Sequence, residues 1–407
     1  MLKMMHDFLS RHIATGDLSM IDPSGRLSHY GDGSGPPVTV RLGDPGVARA
    51  LLFNPEMALG DLYVNGRVKL EQGDIYDLLR VLFTNVPSSV ATPPARFFSR
   101  LYYSLRRLHQ KNSESSSRKN VEKHYDLSAG LYDLFLDEDL QYSCAYFDAD
   151  TVDLSEAQLA KKRHIAAKLA IKPDHRILDI GSGWGGLGLY LAEATGADVT
   201  GLTLSREQHA VSNRRAQDAG LDARVRYLLQ DYRQMKGRFD RISSVGMFEH
   251  VGVRYYDEYF SRVRNLLTED GVALVHSIGR SEGPSYTNPW IRQHIFPGGY
   301  IPALSEVLPS IERQGLFVCD VEILRLHYAE TLKAWRARFE ARREEAVHLY
   351  DERFARMWEF YLASSESAFR FQGLMVFQVQ VSRSQHALPL TRNYIYQKES
   401  DLKASGF

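Results

Sequence analysis

Apolar segments of strand length recur through the second half of the chain, separated by stretches long enough to form helices. Five of them are rich in Val, Ile and Leu, at residues 176–181, 197–204, 225–231, 239–251 and 271–279. This alternation predicts a parallel, doubly wound α/β sheet. Two later strand candidates, at 316–325 and 373–383, flank a long helical region. We expect them to complete the sheet, the last one as an antiparallel strand.

The first ninety residues have a different pattern. Charges interrupt the apolar positions of residues 1–13 every few residues, which predicts a short amphipathic helix. A loop rich in glycine and proline follows at 31–40, and after it come mixed strand-like and helix-like segments. Residues 1–90 are therefore predicted to form a small α+β domain, and residues 121–400 a larger α/β domain.

Residues 91–120 connect these two domains and carry a local positive charge. Phe97, Leu101 and Leu105 give an apolar face that is surrounded by arginines, and a serine-rich linker follows at 112–120. One interpretation is a basic aromatic helix that lies on a membrane surface. The other is an interdomain helix with a solvated basic side. The pattern is compatible with both.

Composition limits the classes of function. Of the 407 residues, 44% are hydrophobic, which is enough to bury an α/β core and a second domain. Lys and Arg equal Asp and Glu at 50 each, so no broad positive surface for nucleic acid is expected. Two cysteines far apart in the sequence form no metal-ligand spacing and fit a reducing cytoplasm, so no metal is predicted. The N-terminus has neither the apolar run of a membrane span nor a secretion signal.

A glycine-rich run, DIGSGWGG, lies between the first predicted strand of the larger domain and the next predicted helix. Gly181 and Gly183 allow positive φ angles and a close approach of the backbone to a ligand. The run stands at the carboxyl end of its strand, where open α/β sheets bind ligands. It therefore predicts a site for a nucleotide-containing cofactor.

The second and third strands narrow the choice of nucleotide. Dinucleotide enzymes usually place an acidic residue after the second strand, whereas this chain has Thr203, Leu204 and Gln208 there. NAD is therefore disfavoured. The third strand ends at Asp231 and Tyr232, and the Asp231 carboxylate is a candidate acceptor for an adenine amino group. The alternative for Asp231 is a helix cap.

Seven motifs, in this order along the chain, resemble those of the cyclopropane-fatty-acyl-phospholipid synthase family: LDIGSGWGG, TLSREQ, LLQDYR, FDRISSVGMFEHVG, HSIG, PWIRQHIFPGGYIP and HYAETLKAW. The likeness covers about residues 121–383, and residues 57–74 resemble the N-terminal domain of the phospholipid-acting members. It implies a class I methyltransferase domain, Rossmann-like and dependent on S-adenosylmethionine (AdoMet), with a smaller N-terminal α+β lipid-binding domain. Ser182 departs from the family loop, which commonly has cysteine there.

The resemblance also implies which residues carry the chemistry. Tyr142 and Ser143 would lie against AdoMet. A bicarbonate ion would be held by five positions that are far apart in the sequence: Cys144, Glu249, His276, the backbone of Ile278, and Tyr328. Without the resemblance, a cysteine between tyrosines would be interpreted as an ordinary core residue.

The implied activity is the transfer of a methylene group from AdoMet to the cis double bond of an acyl chain in a membrane phospholipid. Methyl transfer to the alkene leaves a carbocation, and the bound bicarbonate would accept a proton as the ring closes. Aromatic rings would stabilise the cation and line an acyl tunnel, with core packing as the alternative. The candidates are Phe248, Tyr286, Trp290, Phe296 and Tyr300.

Other functions stay open on the sequence alone. The same carbocation can lose a different proton and give a methyl- or methylene-branched chain. A lipid-binding protein without turnover would need neither the glycine loop nor the base site. The neutral net charge and the lack of an Asn/Asp-Pro-Pro-aromatic motif argue against a nucleic-acid methyltransferase. We expect a cytoplasmic homodimer, peripheral at the inner membrane surface, with the phospholipid bilayer as its partner.

Overall fold

The computed structural model describes residues 1–86, 92–109, 129–151 and 153–407, and the linker predicted at 112–120 lies outside them. The chain divides into two compact units. The first comprises Met1–Arg106, Tyr286–Pro297 and Leu332–Leu374, and the second comprises Arg107–Ser285, Gly298–Thr331 and Met375–Phe407. Two segments that the sequence analysis placed in the larger domain, 286–297 and 332–374, therefore belong to the first unit.

The first unit contains, among its described residues, a four-stranded sheet in the order β2-β1-β3-β4. The strands are β1 (Asp17–Ile21), β2 (Leu27–Tyr30), β3 (Pro37–Leu42) and β4 (Val68–Gln72). β1 and β3 are parallel, whereas the other two pairs are antiparallel. The helices are α1 (Leu2–His12), α2 (Gly46–Phe53), α3 (Pro55–Val64), α4 (Ile75–Asn85) and α5 (Pro93–His109). The unit thus combines strands and helices, as predicted.

Later segments of the chain complete the first unit. They contain α11 (Pro289–His294), α14 (Arg343–Leu349) and α15 (Glu352–Phe371). α15 packs against α3 and α4, and Tyr63 of α3 donates to Glu359 of α15 at 2.9 Å. A Cβ on Gly60 of α3 would lie 2.5 Å from Nε1 of Trp290, so the indole fits only because residue 60 is glycine. These long-range contacts explain why the later segments join the first unit.

The second unit is built on a seven-stranded sheet in the described residues, in the order β10-β11-β9-β8-β5-β6-β7. Its strands are β5 (Arg176–Ile180), β6 (Asp198–Thr203), β7 (Val225–Leu229), β8 (Phe239–Val245), β9 (Leu267–Arg280), β10 (Phe317–Leu324) and β11 (Leu374–Ser382). Neighbours from β9 to β7 pair in parallel, and β10 and β11 are antiparallel. The winding reverses between β5 and β8. The predicted doubly wound sheet is confirmed.

Helices connect these strands and cover the sheet. They are α6 (Ala129–Tyr132), α7 (Leu154–Lys168), α8 (Gly186–Thr195), α9 (Arg206–Asp218), α10 (Tyr256–Leu266), α12 (Leu304–Arg313), α13 (His327–Ala341), which continues into the first unit, and α16 (Asn393–Ala404). α7 is unusual because most of its polar side chains are buried, among them Gln158, Lys161, His164 and Lys168. The helix therefore does not have the solvated polar face that its charges suggest.

α5 confirms the helix predicted in the 91–120 segment. One side of it contacts the first unit, where Asn54 Nδ2 donates to the Tyr102 hydroxyl at 2.8 Å. On the other side Phe97 is 63% exposed, and Leu101 and Tyr103 are exposed as well. The helix therefore keeps an uncovered apolar surface. No helix among the described residues is long and apolar enough to cross a bilayer.

Candidate active site

One cavity in the second unit lies at the carboxyl ends of β5, β6, β7 and β8. It encloses about 1160 Å³, counting its open mouth. Its lining includes all nine residues predicted to bind the cofactor: Tyr142, Ser143, Gly181, Gly183, Thr203, Leu204, Gln208, Asp231 and Tyr232. These residues meet where the winding of the sheet reverses, which is where open α/β sheets bind nucleotide ligands.

The glycine loop depends on positive φ angles. Gly181, Gly183 and Gly185 have φ of 85°, 53° and 89°, a region that residues with a Cβ disfavour. A Cβ on Gly181 would also lie 2.8 Å from Cβ of Met247. Gly185 is the N-cap of α8, so the first N–H groups of that helix follow the loop directly. The loop therefore presents bare backbone to the cavity.

Two side chains at the end of β6 fix each other. The Thr203 hydroxyl donates to Gln208 Oε1 at 2.8 Å, and Ser205 caps α9 by accepting from the Gln208 N–H at 3.3 Å. Because Oε1 is engaged, the amide nitrogen of Gln208 is the group that can turn toward a ligand. That nitrogen is a donor, which suits a ribose hydroxyl.

Asp231 has the capping role that the sequence analysis left open. Its carboxylate accepts from the Arg233 N–H at 2.9 Å at the start of a short 3-10 turn. The same side chain lines the cavity. A carboxylate has two oxygens with several acceptor positions, so capping and contact with an adenine amino group are compatible.

Other residues of the cavity wall were not predicted. Asp179 is buried at the end of β5, where it accepts from the Ser243 hydroxyl at 2.7 Å and burial raises its pKa to about 6. Burial lowers the pKa of His250, which also lines the cavity, to about 4, so its ring is neutral at neutral pH. In the sequence, only their positions could have indicated these two residues: Asp179 precedes the glycine loop, and His250 follows Glu249.

Glu249 lies in the short turn Phe248–His250 after β8. Met247 and His250 on either side of this turn line the cavity, whereas Glu249 itself does not. It is buried, and burial raises the pKa of its carboxyl group to about 7. Oε1 accepts from the Ile278 N–H at 2.7 Å. Oε2 is buried and has no hydrogen-bond partner among the described residues. The Ile278 N–H is thus directed at the carboxylate, and one buried acceptor is left for a ligand.

His276 lies two residues before Ile278 on β9 and is buried. Gln378 Nε2 lies 3.2 Å from its Nδ1. With the amide in this orientation, Nδ1 accepts and Nε2 carries the ring proton. Burial lowers the pKa of His276 to about 3, so the ring is neutral. The residue can therefore donate a hydrogen bond without adding a charge.

Cys144 and Tyr328 are both buried. The Cys144 thiol donates to the Ala145 carbonyl at 3.2 Å, and burial raises its pKa, so it stays protonated. The Ala145 N–H donates to the Thr331 hydroxyl at 3.0 Å, one helical turn after Tyr328 on α13. Hydrogen bonds thus tie the segment of Cys144 to the helix of Tyr328, separately from the contact between Glu249 and the β9 strand.

The aromatic residues predicted for an acyl tunnel are divided between the two units. Tyr286, Trp290 and Phe296 belong to the first unit, and Phe248 and Tyr300 belong to the second. Phe248 stacks on Tyr256 with 4.4 Å between ring centroids, within the core beside the sheet. This contact is the core packing that the sequence analysis gave as the alternative.

Comparison with known proteins identifies the family. Residues 112–379 match the mycolic acid cyclopropane synthetase family. The chain belongs to this family. Among its relatives, cyclopropane-fatty-acyl-phospholipid synthase of Escherichia coli strain K12 is 37% identical over 348 residues, which are 85% of this chain and 88% of the relative. A probable fatty acid methyltransferase of Pseudomonas putida is 36% identical over 383 residues, covering 89% of this chain and 93% of that protein.

Solved structures of cyclopropane synthases have the same fold as this family member. The cyclopropane synthase MmaA2 from Mycobacterium tuberculosis has a TM-score of 0.62 at 31% identity, covering 65% of this chain and 97% of its own. The mycolic acid cyclopropane synthase CmaA1 in complex with SAH and CTAB has a TM-score of 0.61 at 34% identity, with the same coverage. The predicted family, the class I methyltransferase fold and the AdoMet-dependent enzyme class are confirmed.

Proposed function

We propose that this cyclopropane synthetase family member transfers a methylene group from AdoMet to the cis double bond of an unsaturated acyl chain in a membrane phospholipid, forming a cyclopropane ring. The similarity to the E. coli phospholipid enzyme extends over 88% of that protein. The observation that carries the proposal is Glu249, a buried carboxyl group next to the cavity-lining His250, with one oxygen that has no hydrogen-bond partner among the described residues. Ring closure requires a proton to leave carbon, and a base site beside the cofactor meets that requirement.

The cavity residues fit AdoMet. Gly181 and Gly183 have positive φ, and without a Cβ they allow the backbone to approach the cofactor closely. The amide nitrogen of Gln208 suits a ribose hydroxyl, and Asp231 suits the adenine amino group. AdoMet supplies an electrophilic methyl group on its sulfonium sulfur.

The hydrogen-bonding groups of Glu249, His276, Tyr328 and Cys144 suit a bicarbonate ion, which would supply the base. Oε2 of Glu249 is a buried acceptor for its hydroxyl group. The Nε2–H of neutral His276 and the Tyr328 hydroxyl are donors for its oxygens. The Cys144 thiol is uncharged, so it does not repel an anion.

The reaction balances without a further reactant. The π electrons of the alkene form a bond to the AdoMet methyl carbon while the carbon–sulfur bond breaks, which leaves S-adenosylhomocysteine and a carbocation. The transferred methyl group then loses one proton, and the electrons of that C–H bond close the ring. Glu249 and His276 fix the position at which the proton is accepted, and one proton is released for each turnover.

Vesicles of a cis-unsaturated phospholipid, incubated with the protein and AdoMet, test the activity. We expect the fatty acids to gain the mass of one methylene group only when bicarbonate is present. Hydrogenolysis followed by mass spectrometry should locate a ring across the original double bond. A branched product would instead indicate an acyl C-methyltransferase, and no gain in mass would refute the proposal.

We further propose that α5 docks on the cytoplasmic face of the inner membrane. Its exposed Phe97 and Leu101 can enter the interface, and Arg100 and Arg106 can meet anionic headgroups. A homodimer would bring two such helices to the membrane together. Phe97→Ser with Leu101→Ser should weaken sedimentation with anionic vesicles about tenfold, whereas Met4→Ser on α1, also exposed, should not. Analytical ultracentrifugation tests the dimer separately.

A further inference from the structure

A buried lysine lies directly beneath the cofactor cavity. Lys161 of α7 is 1% exposed. Its ammonium donates to Gln141 Oε1 at 2.6 Å and to the Ser143 hydroxyl oxygen at 2.9 Å. Gln141 and Ser143 both line the cavity, whereas Lys161 does not. Gln141 Nε2 donates in turn to Asp139 Oδ2 at 3.0 Å, so Ser143 is the side chain through which the lysine can act on a ligand.

The helix that carries Lys161 also sets the shape of the segment above it. Gln158, one turn earlier on α7, donates from its amide nitrogen to the carbonyls of Gln141 at 3.2 Å and Ser143 at 3.0 Å. The Tyr146 N–H donates to the Ala157 carbonyl at 3.1 Å. Residues 141–147 form neither a helix nor a strand, so these contacts with α7 define the path of that backbone.

The charge of Lys161 is costly at this position. A buried ammonium loses its hydration, and apolar replacements of buried charges are often tolerated well. Asp137 and Asp139 supply opposite charge nearby, while Lys162 opposes it. The nearby charge of Asp137 helps explain how the ammonium is tolerated, but it does not explain why two of its hydrogens are directed at cavity residues.

The ammonium also fixes the direction of the Ser143 hydroxyl. Because an ammonium group can only donate, Ser143 Oγ must accept from Lys161, and the hydroxyl hydrogen must point elsewhere. No acceptor among the described residues takes that hydrogen. The result is an O–H donor, with a positive charge behind it, on the cavity wall. Such a donor matches a carboxylate, because hydrogen bonds to charged groups are the strong ones.

The sheet order shows which end of the cofactor meets this donor. Asp231 follows β7, and Thr203 ends β6. Ser143 lies at the other side, next to Gly246 after β8, where a Cβ on the glycine would be 3.9 Å from Ser143 Cβ. β7 and β8 are three strand spacings apart, or about 14 Å. With adenine at Asp231, the amino-acid end of AdoMet extends toward Ser143.

We propose that Lys161 is a positioning residue for the carboxylate of the methionine moiety of AdoMet, acting through the hydroxyl of Ser143. This inference rests on the proposed function, in that it requires AdoMet in the cavity. The same contacts fix the residue before Cys144, so one buried lysine sets the cofactor wall and the start of the base site.

Binding of two ligands separates this role from a purely structural one. S-adenosylhomocysteine has the amino-acid end, and 5′-methylthioadenosine lacks it. In titration calorimetry, Lys161→Met should weaken S-adenosylhomocysteine about tenfold to a hundredfold, the range of a lost charge-assisted hydrogen bond, and leave methylthioadenosine unchanged. Lys168→Met is the matched control, because Lys168 is also buried on α7 but pairs with Asp320 at 3.2 Å. Lys168→Met should change the affinity for neither ligand.

The pH dependence gives a second readout. Burial lowers the pKa of Lys161 to about 8, so its charge is present at neutral pH and is lost as the pH rises through that value. The titratable groups that act on it or feel its charge are Asp137, Asp139, Lys162, Cys144, Asp179 and His276. We expect the affinity for S-adenosylhomocysteine to fall above pH 8 in the wild type, and the affinity for methylthioadenosine to stay constant.

If Lys161→Met does not fold, Ser143→Ala provides an independent test of the inference. This variant should show the same selective loss and lose the decline above pH 8, and the double variant should lose no more than either single one. Equal weakening of both ligands, or full affinity in these variants, overturns the inference. Failure of the wild type to bind S-adenosylhomocysteine would instead refute the proposed function.

Discussion

The wall of the cofactor cavity is made from the ends of consecutive parallel strands, whereas the base site around Glu249 is made from buried side chains of segments far apart in the chain. At the cavity, backbone groups and short polar side chains follow β5, β6 and β7 in the order of the fold. At the base site, a carboxyl group, an imidazole and a thiol are held away from water.

Burial shifts the pKa values of two titratable groups at the base site. It raises the pKa of Glu249 to about 7 and lowers that of His276 to about 3, because a low-dielectric environment disfavours the charged form of each group. The base site therefore contains groups whose protonation is sensitive to their surroundings. The comparison leads us to expect that changes in the cavity alter ligand affinity, and that changes in the base site alter turnover and its pH dependence.

Glu249→Gln should have the largest effect. The amide keeps the size of the side chain and an acceptor for the Ile278 N–H, but it removes the carboxylate. We expect turnover to fall about 10²- to 10⁴-fold, the range for loss of acid–base function, while S-adenosylhomocysteine binds as in the wild type. Steady-state kinetics and calorimetry on the same preparation measure both. Equal losses in turnover and affinity would remove the distinction between the regions.

The pH dependence of turnover should reflect the titration of Glu249. Since the pKa of Glu249 is about 7, its carboxylate fraction falls as the pH falls below that value. With the bicarbonate-ion concentration held constant at each pH, we expect the rate at saturating AdoMet to drop about tenfold for each pH unit on the acid side. The residual activity of Glu249→Gln should lack this limb. An acid limb that persists in the variant would assign it to another group.

Asp231→Asn tests the cavity. Asparagine can still cap the 3-10 turn, but its amide nitrogen cannot accept from an adenine amino group. We expect the affinity for S-adenosylhomocysteine to fall about tenfold and turnover at saturating AdoMet to stay at the wild-type level. Reduced turnover at saturation would show that this part of the cavity also takes part in the chemical step.

Cys144→Ser should have the smallest effect. The thiol is protonated, and it donates to the Ala145 carbonyl, a role that a hydroxyl can take. We expect turnover within about threefold of the wild type and the same dependence on bicarbonate. Complete loss of turnover in a folded variant would instead give the sulfur a direct role in the reaction.

Features that depend on local pattern could be predicted from the sequence. The strands of the second unit follow from short apolar segments, and the glycine loop follows from the positive φ that Gly181 and Gly183 adopt. Both are properties of a few adjacent residues. The same holds for α5, whose apolar and basic positions recur at helical spacing.

Features that depend on distant contacts could not be predicted. Nothing near Trp290 in the sequence indicates that it packs on Gly60, or that segment 286–297 groups with the first unit. Lys161 stands in a charged run that suggests a solvated helix face, yet it is buried. Its role depends on the side chains of another segment, and periodicity along one helix does not carry that information.

The composition of the first unit has a consequence for the order in which the protein folds. Its sheet and α1–α4 are complete by Asn85, but α11 and α15, which pack on α3, come near residues 290 and 360. As the chain leaves the ribosome, the apolar surfaces of α3 and α4 therefore stay uncovered until more than half of the sequence has been synthesised. Chaperone binding during synthesis protects such surfaces from aggregation. A fragment that ends at Arg106 should consequently be a poor folding unit, even though it contains a complete sheet.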